Sequence, residues 1–256
     1  MVPCMLNNSD TWDEIDDESV EKLERLQNTL MCYLLSTPRT TPKPALCWDF
    51  GVIPVKYRIL QKKLNLVKHL SSLNKNALAK EVYQTQLEFG FPGLATQTKQ
   101  LIKELDLPDI TENKTNEETT KQKWKKLVKE AIVEESEKEL KEKISKLKKL
   151  KDGPMKNETF GTKDYLKSMD LTEARLKFKF RSKMLDVKMN YSHDPVFSKD
   201  LWKCDSCERS IDTQNHILWC PAYSEIREGK SLNNDEDLIS YLKKVMNVRD
   251  KLKLTK

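Results

Sequence analysis

Apolar positions recur with helical period along most of the chain, separated by polar or proline-rich breaks. From Glu18, the spacing of Val20, Leu23, Leu26, Leu30 and Leu34 predicts a helix with one apolar stripe. Prolines at 38, 42 and 44 stop it, because proline cannot continue a helix. Residues 45–51 read as a short helical turn closed by Gly51. Pro54 can take the first position of the next helix, where no N–H is needed. Ile59, Leu64, Val67 and Leu70 form its predicted buried side, with Lys62, Lys63 and Lys68 pointing outward. Further helices are predicted over about 75–89, closed by Gly90 and Pro92, and over 94–107, closed by Pro108. Residues 18–108 thus predict a helical bundle, behind an acidic, flexible N-terminus at 1–17.

Residues 111–120 are polar and lack apolar period, as a linker does. A long lysine/glutamate helix is predicted over about 117–150, with a stripe of Trp124, Leu127 and Ala131, then Leu140, Ile144 and Leu147. The stripe lapses between Val133 and Leu140, which does not support a clean coiled coil. Linker and helix together occupy 109–160, and residues 161–256 hold a basic helix, a cysteine-histidine segment and a last helix over about 235–252. Asp170 with Glu173 makes a capping box. The helix it opens carries Leu176, Phe180, Met184 and Val187 on one side, with Arg175, Lys179, Lys177 and Arg181 off that stripe. Alternation over 176–180 also admits a short strand. The predicted fold class is mostly α: a helical bundle, a long charged helix and a small C-terminal CCHC zinc knuckle.

Composition sharpens this picture. Only 6 glycines and 34% charged residues in 256 favour long, solvated helices over a sandwich or a doubly wound sheet. The formal charge of +6 hides a polarity: residues 1–35 carry eight acidic and two basic side chains, whereas 121–151 carry twelve lysines against six glutamates. That suits a polyanionic partner, although lysine and glutamate also mix on helices that only need solvation. No run of 18 apolar residues occurs, so no membrane span is expected. The start lacks a basic and then apolar leader. Six cysteines without such a leader point to a reducing compartment, nucleus or cytoplasm, where thiols bind metal or stay free.

The candidate chemistry lies at 204–220, where Cys204, Cys207, His216 and Cys220 follow the pattern C-x2-C-x8-H-x3-C. A tight turn aims the first two sulfurs at one point, and one turn of helix sets His216 and Cys220 on the same side. Three thiolates and an imidazole complete a tetrahedral shell with no open position, which makes the predicted cofactor one structural zinc ion. The segment has few apolar residues, so metal binding and local folding are expected to be coupled. Trp202, Trp219 and Tyr223 bracket the cluster, with Lys199, Lys203, Arg209 and Arg227 nearby. Aromatic faces stack on bases and cations meet phosphates. Trp219 is expected to be buried against the metal and Trp202 to be the more available ring.

Other candidates read as structural. His69 fits a surface or packing position and His193 a turn. Asp13, Asp16 and Asp17 fit a solvated acidic stretch, and Cys4, Cys32 and Cys47 lack a second ligand pair. With no glycine-rich phosphate loop, nothing here predicts an enzyme.

Residues 212–223, Asp-Thr-Gln-Asn-His-Ile-Leu-Trp-Cys-Pro-Ala-Tyr, followed by Ile226, Arg227, Gly229 and Lys230, resemble the C-terminal knuckle of non-LTR (LINE-type) retrotransposon polyproteins. Leu171-Thr172-Glu173-Ala174-Arg175 with Phe178, Arg181, Asn190 and Tyr191 is similar to the segment before that knuckle. Residues 23–27, 40–46 and 50–54 resemble the thumb and linker after a reverse-transcriptase palm. The resemblance implies zinc ligation by Cys204, Cys207, His216 and Cys220 and a grip on RNA or DNA. Trp202, Lys203, Arg175, Lys179, Arg181 and Arg227 are then candidate nucleic-acid contacts. The aromatic-x-Asp-Asp turn of a polymerase is absent from the chain, so reverse transcription by it alone is not expected. The expectation is a non-catalytic nucleic-acid-binding module from the C-terminal part of such a protein. The alternatives are a zinc-stapled adaptor that binds protein partners through its helices, and an inert remnant.

Overall fold

Capping decides where the first helix begins. The Asp16 carboxylate accepts hydrogen bonds from the backbone N–H of Ser19 at 2.7 Å and from its hydroxyl at 2.8 Å, so Asp16 caps α1, Asp17–Leu35. The computed structural model describes residues 6–12, 16–110, 119–151, 153–191 and 202–254. Cys4, Asp13, Lys199, His193 and most of the expected linker at 111–120 lie outside them. The described residues are mostly helical and contain no strand, only isolated bridges such as Lys203 with Ile211. None of their helices is long and apolar enough to cross a membrane.

The chain folds as two units, each assembled from separate stretches: residues 1–30 with 51–143, and residues 31–50 with 144–256. The first holds α3 (Val55–Ser72), α4 (Leu78–Phe89), α5 (Leu94–Glu104) and most of α6 (Lys121–Lys146). Pro54 sits one residue before α3, at its N-cap, rather than inside it. Gly90 closes α4 in the left-handed conformation (φ 65°), where a residue without Cβ carries no penalty. The core gathers Tyr57, Leu64, Val67, Tyr83, Ala95, Ile102, Trp124, Val128 and Ile132.

Several expected faces are rotated. In α6 the buried positions are Trp124, Val128, Ile132, Ser136, Leu140 and Ile144, a strict step of four. Leu127 and Ala131 are only half-buried. Four residues turn a helix by about 400°, so the buried line winds about 40° per step. Ser136 fills the lapse in the apolar pattern. The exposed lysines of α6 pair with its own glutamates, as in Lys138–Glu134 at 3.0 Å and Lys141–Glu137 at 2.9 Å. Such pairs are worth a few tenths of a kcal/mol each. In α1, Leu26 and Leu34 are 43% and 51% exposed, while Gln27, Asn28, Met31, Cys32 and Leu35 are buried. Lys63 and Lys68 are buried, not outward; the Lys63 ammonium donates to the Gln97 amide oxygen at 3.2 Å, and burial lowers the pKa of Lys68.

The second unit holds α2 (Lys43–Phe50), α7 (Tyr165–Ser168), α8 (Leu171–Arg181), α9 (Gln214–Trp219), α10 (Ser224–Arg227) and α11 (Asp235–Leu254). The run from Ala45 to Asp49 in α2 is buried without a break. Asp49 is satisfied there by the Tyr165 hydroxyl at 2.8 Å and by Arg181 Nε and Nη2 at 2.9 and 3.0 Å. Asp170 caps α8 by accepting from the Glu173 N–H at 2.9 Å, and the segment is a helix, not a strand. Its buried residues are Ala174, Lys177, Phe178 and Arg181, while Leu176 and Phe180 pack at the rim of the core. That core joins Leu185, Val187, Tyr223, Leu238, Tyr241, Leu242 and Val245 to Cys204, Ile217 and Cys220.

Candidate metal centre

A short hairpin-like loop and one short helix build the cluster. The bridge between Lys203 and Ile211 closes the loop, and inside it the Cys204 N–H donates to the Ser210 carbonyl at 2.9 Å. The Glu208 N–H returns to the Cys204 carbonyl at 2.8 Å, with Glu208 in the left-handed conformation (φ 53°). This turn brings Cys204 and Cys207 together. Thr213 caps α9 by accepting from the His216 N–H at 3.0 Å, so His216 stands in the first turn. Cys220 falls immediately after the helix, and Pro221 forbids its continuation.

The ligand atoms of Cys204, Cys207, His216 and Cys220 all lie within 4.8 Å of one another. Cys204 Sγ and Cys220 Sγ are 3.9 Å apart, and Cys207 Sγ is 3.3 Å from His216 Nε2. Metal–ligand bonds of about 2.0–2.3 Å in a tetrahedron give ligand–ligand edges of about 3.5–3.8 Å. The donor set and its closeness could therefore hold one metal ion. Burial pushes the Cys220 thiol up to about 12, with the neighbouring Cys204 sulfur adding to the effect. For Cys207 burial acts in the same direction, but the N–H groups of Arg209 and Ser210 and the neighbouring thiols outweigh it and lower the pKa. A divalent ion removes the cost of packing thiolates together. No disulfide involves Cys32, Cys47 or the cluster cysteines.

The surroundings fix the cluster from behind. The Tyr223 and Ser206 hydroxyls hydrogen-bond at 2.5 Å, and the Tyr241 hydroxyl donates to the Ile217 carbonyl at 2.6 Å. Asp212, fully buried, accepts from Arg249 Nη1 and Nη2 and from the Lys188 N–H.

The six candidate nucleic-acid contacts separate. Arg181 is 8% exposed and ion-paired with both Asp49 and Glu158. Arg227 donates to the Leu218 carbonyl at 3.0 Å and lies over the Trp219 ring at 5.7 Å. Arg175 donates to the Leu34 carbonyl at 3.0 Å. Lys179 and Arg175 line a cavity of about 530 Å³ that also contains Lys243, Lys244, Asp186 and Asp250. Lys203 is exposed and Trp202 half-buried.

Trp219 reverses its expected place: it is 68% exposed rather than buried against the metal. The signal was in the spacing. Ile217 is fully buried, and two residues further on a helix turns about 200°, to the opposite side. Charge is also divided between the units. The unit with the cluster has 26 lysines and arginines against 18 aspartates and glutamates, a formal +8, and the other unit stands at −2.

Compared with protein-family models, curated proteins and solved structures, the chain matches none.

Proposed function

We propose that the +8 unit is a non-catalytic nucleic-acid-binding module organised by one zinc ion, and that the chain is kin to the C-terminal region of a non-LTR retrotransposon reverse transcriptase. Trp219 carries the reading. It is a large aromatic ring, 68% exposed, one residue from a metal ligand and held under a guanidinium on the basic unit. A ring this exposed is a stacking surface for an unpaired base. Three thiolates and an imidazole select zinc among common ions, because soft sulfur with tetrahedral geometry suits it best. The kinship rests on the order of motifs along the sequence.

Binding of labelled single-stranded RNA and DNA, followed by fluorescence anisotropy across a salt series, tests the reading. Affinity should fall steeply and log-linearly with salt as phosphate counterions are released. Salt-independent affinity, or none at about 50 mM salt, contradicts it.

One observation favours an adaptor role instead. Phe89 and Phe91 are exposed and stacked at 5.8 Å, and Leu78 and Val82 of α4 are exposed as well. An exposed apolar patch of this kind suits a protein partner. Stable self-association without nucleic-acid affinity would select that reading.

A further inference from the structure

We infer that the cavity beside the metal centre is a subsite for one nucleoside phosphate, an inference that rests on the nucleic-acid-binding reading and gives it a location. The cavity measures about 410 Å³, and its walls include Lys148, Lys149, Lys183, Asn190, Gln214 and Asn215. No carboxylate is among its described lining residues. Three ammonium groups without an acid suit a phosphate. The exposed Asn215 amide on the same wall offers a donor and an acceptor together, as a base edge requires. Met189, 42% exposed on the same wall, supplies a polarizable face for the ring.

The walls are fixed rather than loose. Lys149 Nζ donates to the Asn190 amide oxygen at 2.9 Å, and Asn190 Nδ2 donates to the Lys183 and Leu185 carbonyls at 3.2 and 2.6 Å. Gln214 Nε2 donates to the Phe180 carbonyl at 2.8 Å, while its Oε1 is buried with no donor among the described residues. Lys183 holds the left-handed conformation (φ 54°) just after α8, where glycine is the usual occupant. The remaining wall, Thr213 to Asn215, runs directly into His216, so the metal loop and the cavity are one element.

A free nucleotide and a nucleotide within a strand present the same chemistry. The test uses the full, zinc-loaded chain with 13C-methyl methionine labels, Met189 being assigned through Met189→Leu. Uridine monophosphate, an octauridylate and inorganic phosphate are titrated in separately. A Met189 methyl shift with the monophosphate supports a subsite for free nucleotide, and a shift with the octauridylate alone supports a subsite within a strand track. Lys183→Glu should then weaken binding of the active probe by about tenfold or more, with zinc content and melting temperature unchanged. Inorganic phosphate that matches the monophosphate in shift and affinity overturns the inference in favour of a plain anion site. Octauridylate binding that leaves Met189 silent and tolerates Lys183→Glu overturns the subsite alone. No binding of any probe at low salt overturns the subsite and the nucleic-acid reading together.

Discussion

Arg249 grips Asp212 through both terminal nitrogens, at 2.8 and 2.6 Å, with the carboxylate fully buried. The same carboxylate accepts the Lys188 N–H at 2.8 Å, and the Asp212 N–H donates to the Trp202 carbonyl at 2.7 Å. One buried ion pair thus ties α11 to the loop between Cys207 and His216. Replacing Arg249 by methionine strands a buried charge, at a cost of about 3–5 kcal/mol. Denaturant unfolding should register that loss together with weaker metal retention. Lysine at this position should recover only part of it, because an ammonium cannot fork onto both oxygens. Stability of Arg249→Met within about 0.5 kcal/mol of the parent would disprove the role.

Arg181 should behave as a structural residue and not as a ligand contact. It is shared between Asp49 and Glu158, at 2.9 and 2.6 Å. Arg181→Met is expected to cost about 3–5 kcal/mol in unfolding free energy. Measured where the variant is fully folded, its affinity for single strands should match the parent; a selective loss of affinity in a stable protein would reassign it.

Acid sensitivity should trace to two carboxylates. Burial alone would raise Glu158, but hydrogen bonds from Arg181 and Lys163 bring it down to about 2. Glu139 reaches about 2 in the same way, against burial, through Lys143, Lys56 and Tyr57. A folded pKa below the unfolded one adds stability that is complete above the unfolded value, about 4.3, and drains away as the pH falls toward 2. With allowance for solvent screening each group contributes about 2 kcal/mol. Melting temperature followed between about pH 5 and pH 2.5 should therefore fall, and Glu158→Gln should start lower at neutral pH yet fall less steeply. Parallel curves for variant and parent would remove Glu158 from the account.

The two tryptophans Trp124 and Trp219 should respond in opposite ways. Trp124 is fully buried and donates its indole N–H to the Leu64 carbonyl at 3.1 Å, so truncation to alanine should cost about 3–5 kcal/mol. Trp219 is exposed, so Trp219→Ala should leave stability within about 0.5 kcal/mol. On the proposed function it should weaken single-strand binding by about 1–3 kcal/mol, measured by anisotropy. Unaltered affinity in Trp219→Ala would remove the stacking surface from the proposal.

Much of this was legible in the chain, and the failures have a common cause. Prolines and glycines placed the helix ends near Ser36, Gly51 and Gly90, because these residues act on their own backbone. Asp170 with Glu173 gave the cap of α8 for the same local reason. The pairing of ligands across 204–220 was readable because turn and helix periods fix sulfur positions within a few residues. The buried faces were less legible. In α1 and α8 the polar residues Gln27, Asn28, Lys177 and Arg181 are buried, and the two cations of α8 are met there by partners distant in sequence. Lys177, for example, pairs with Asp235, and Arg181 with Asp49. No local pattern announces a partner 132 residues away. The division of charge between units was hidden likewise, since the unit boundary falls inside the lysine-rich run, between Lys143 and Ile144.

The most direct test of a zinc-organised module is metal content. The reduced full-length protein is weighed by native mass spectrometry beside Cys207→Ser. One zinc ion per parent chain is expected, absent or readily lost in the variant, with local unfolding around 204–220 on chelation. A parent protein that folds, retains no metal and keeps its structure in chelator would contradict it.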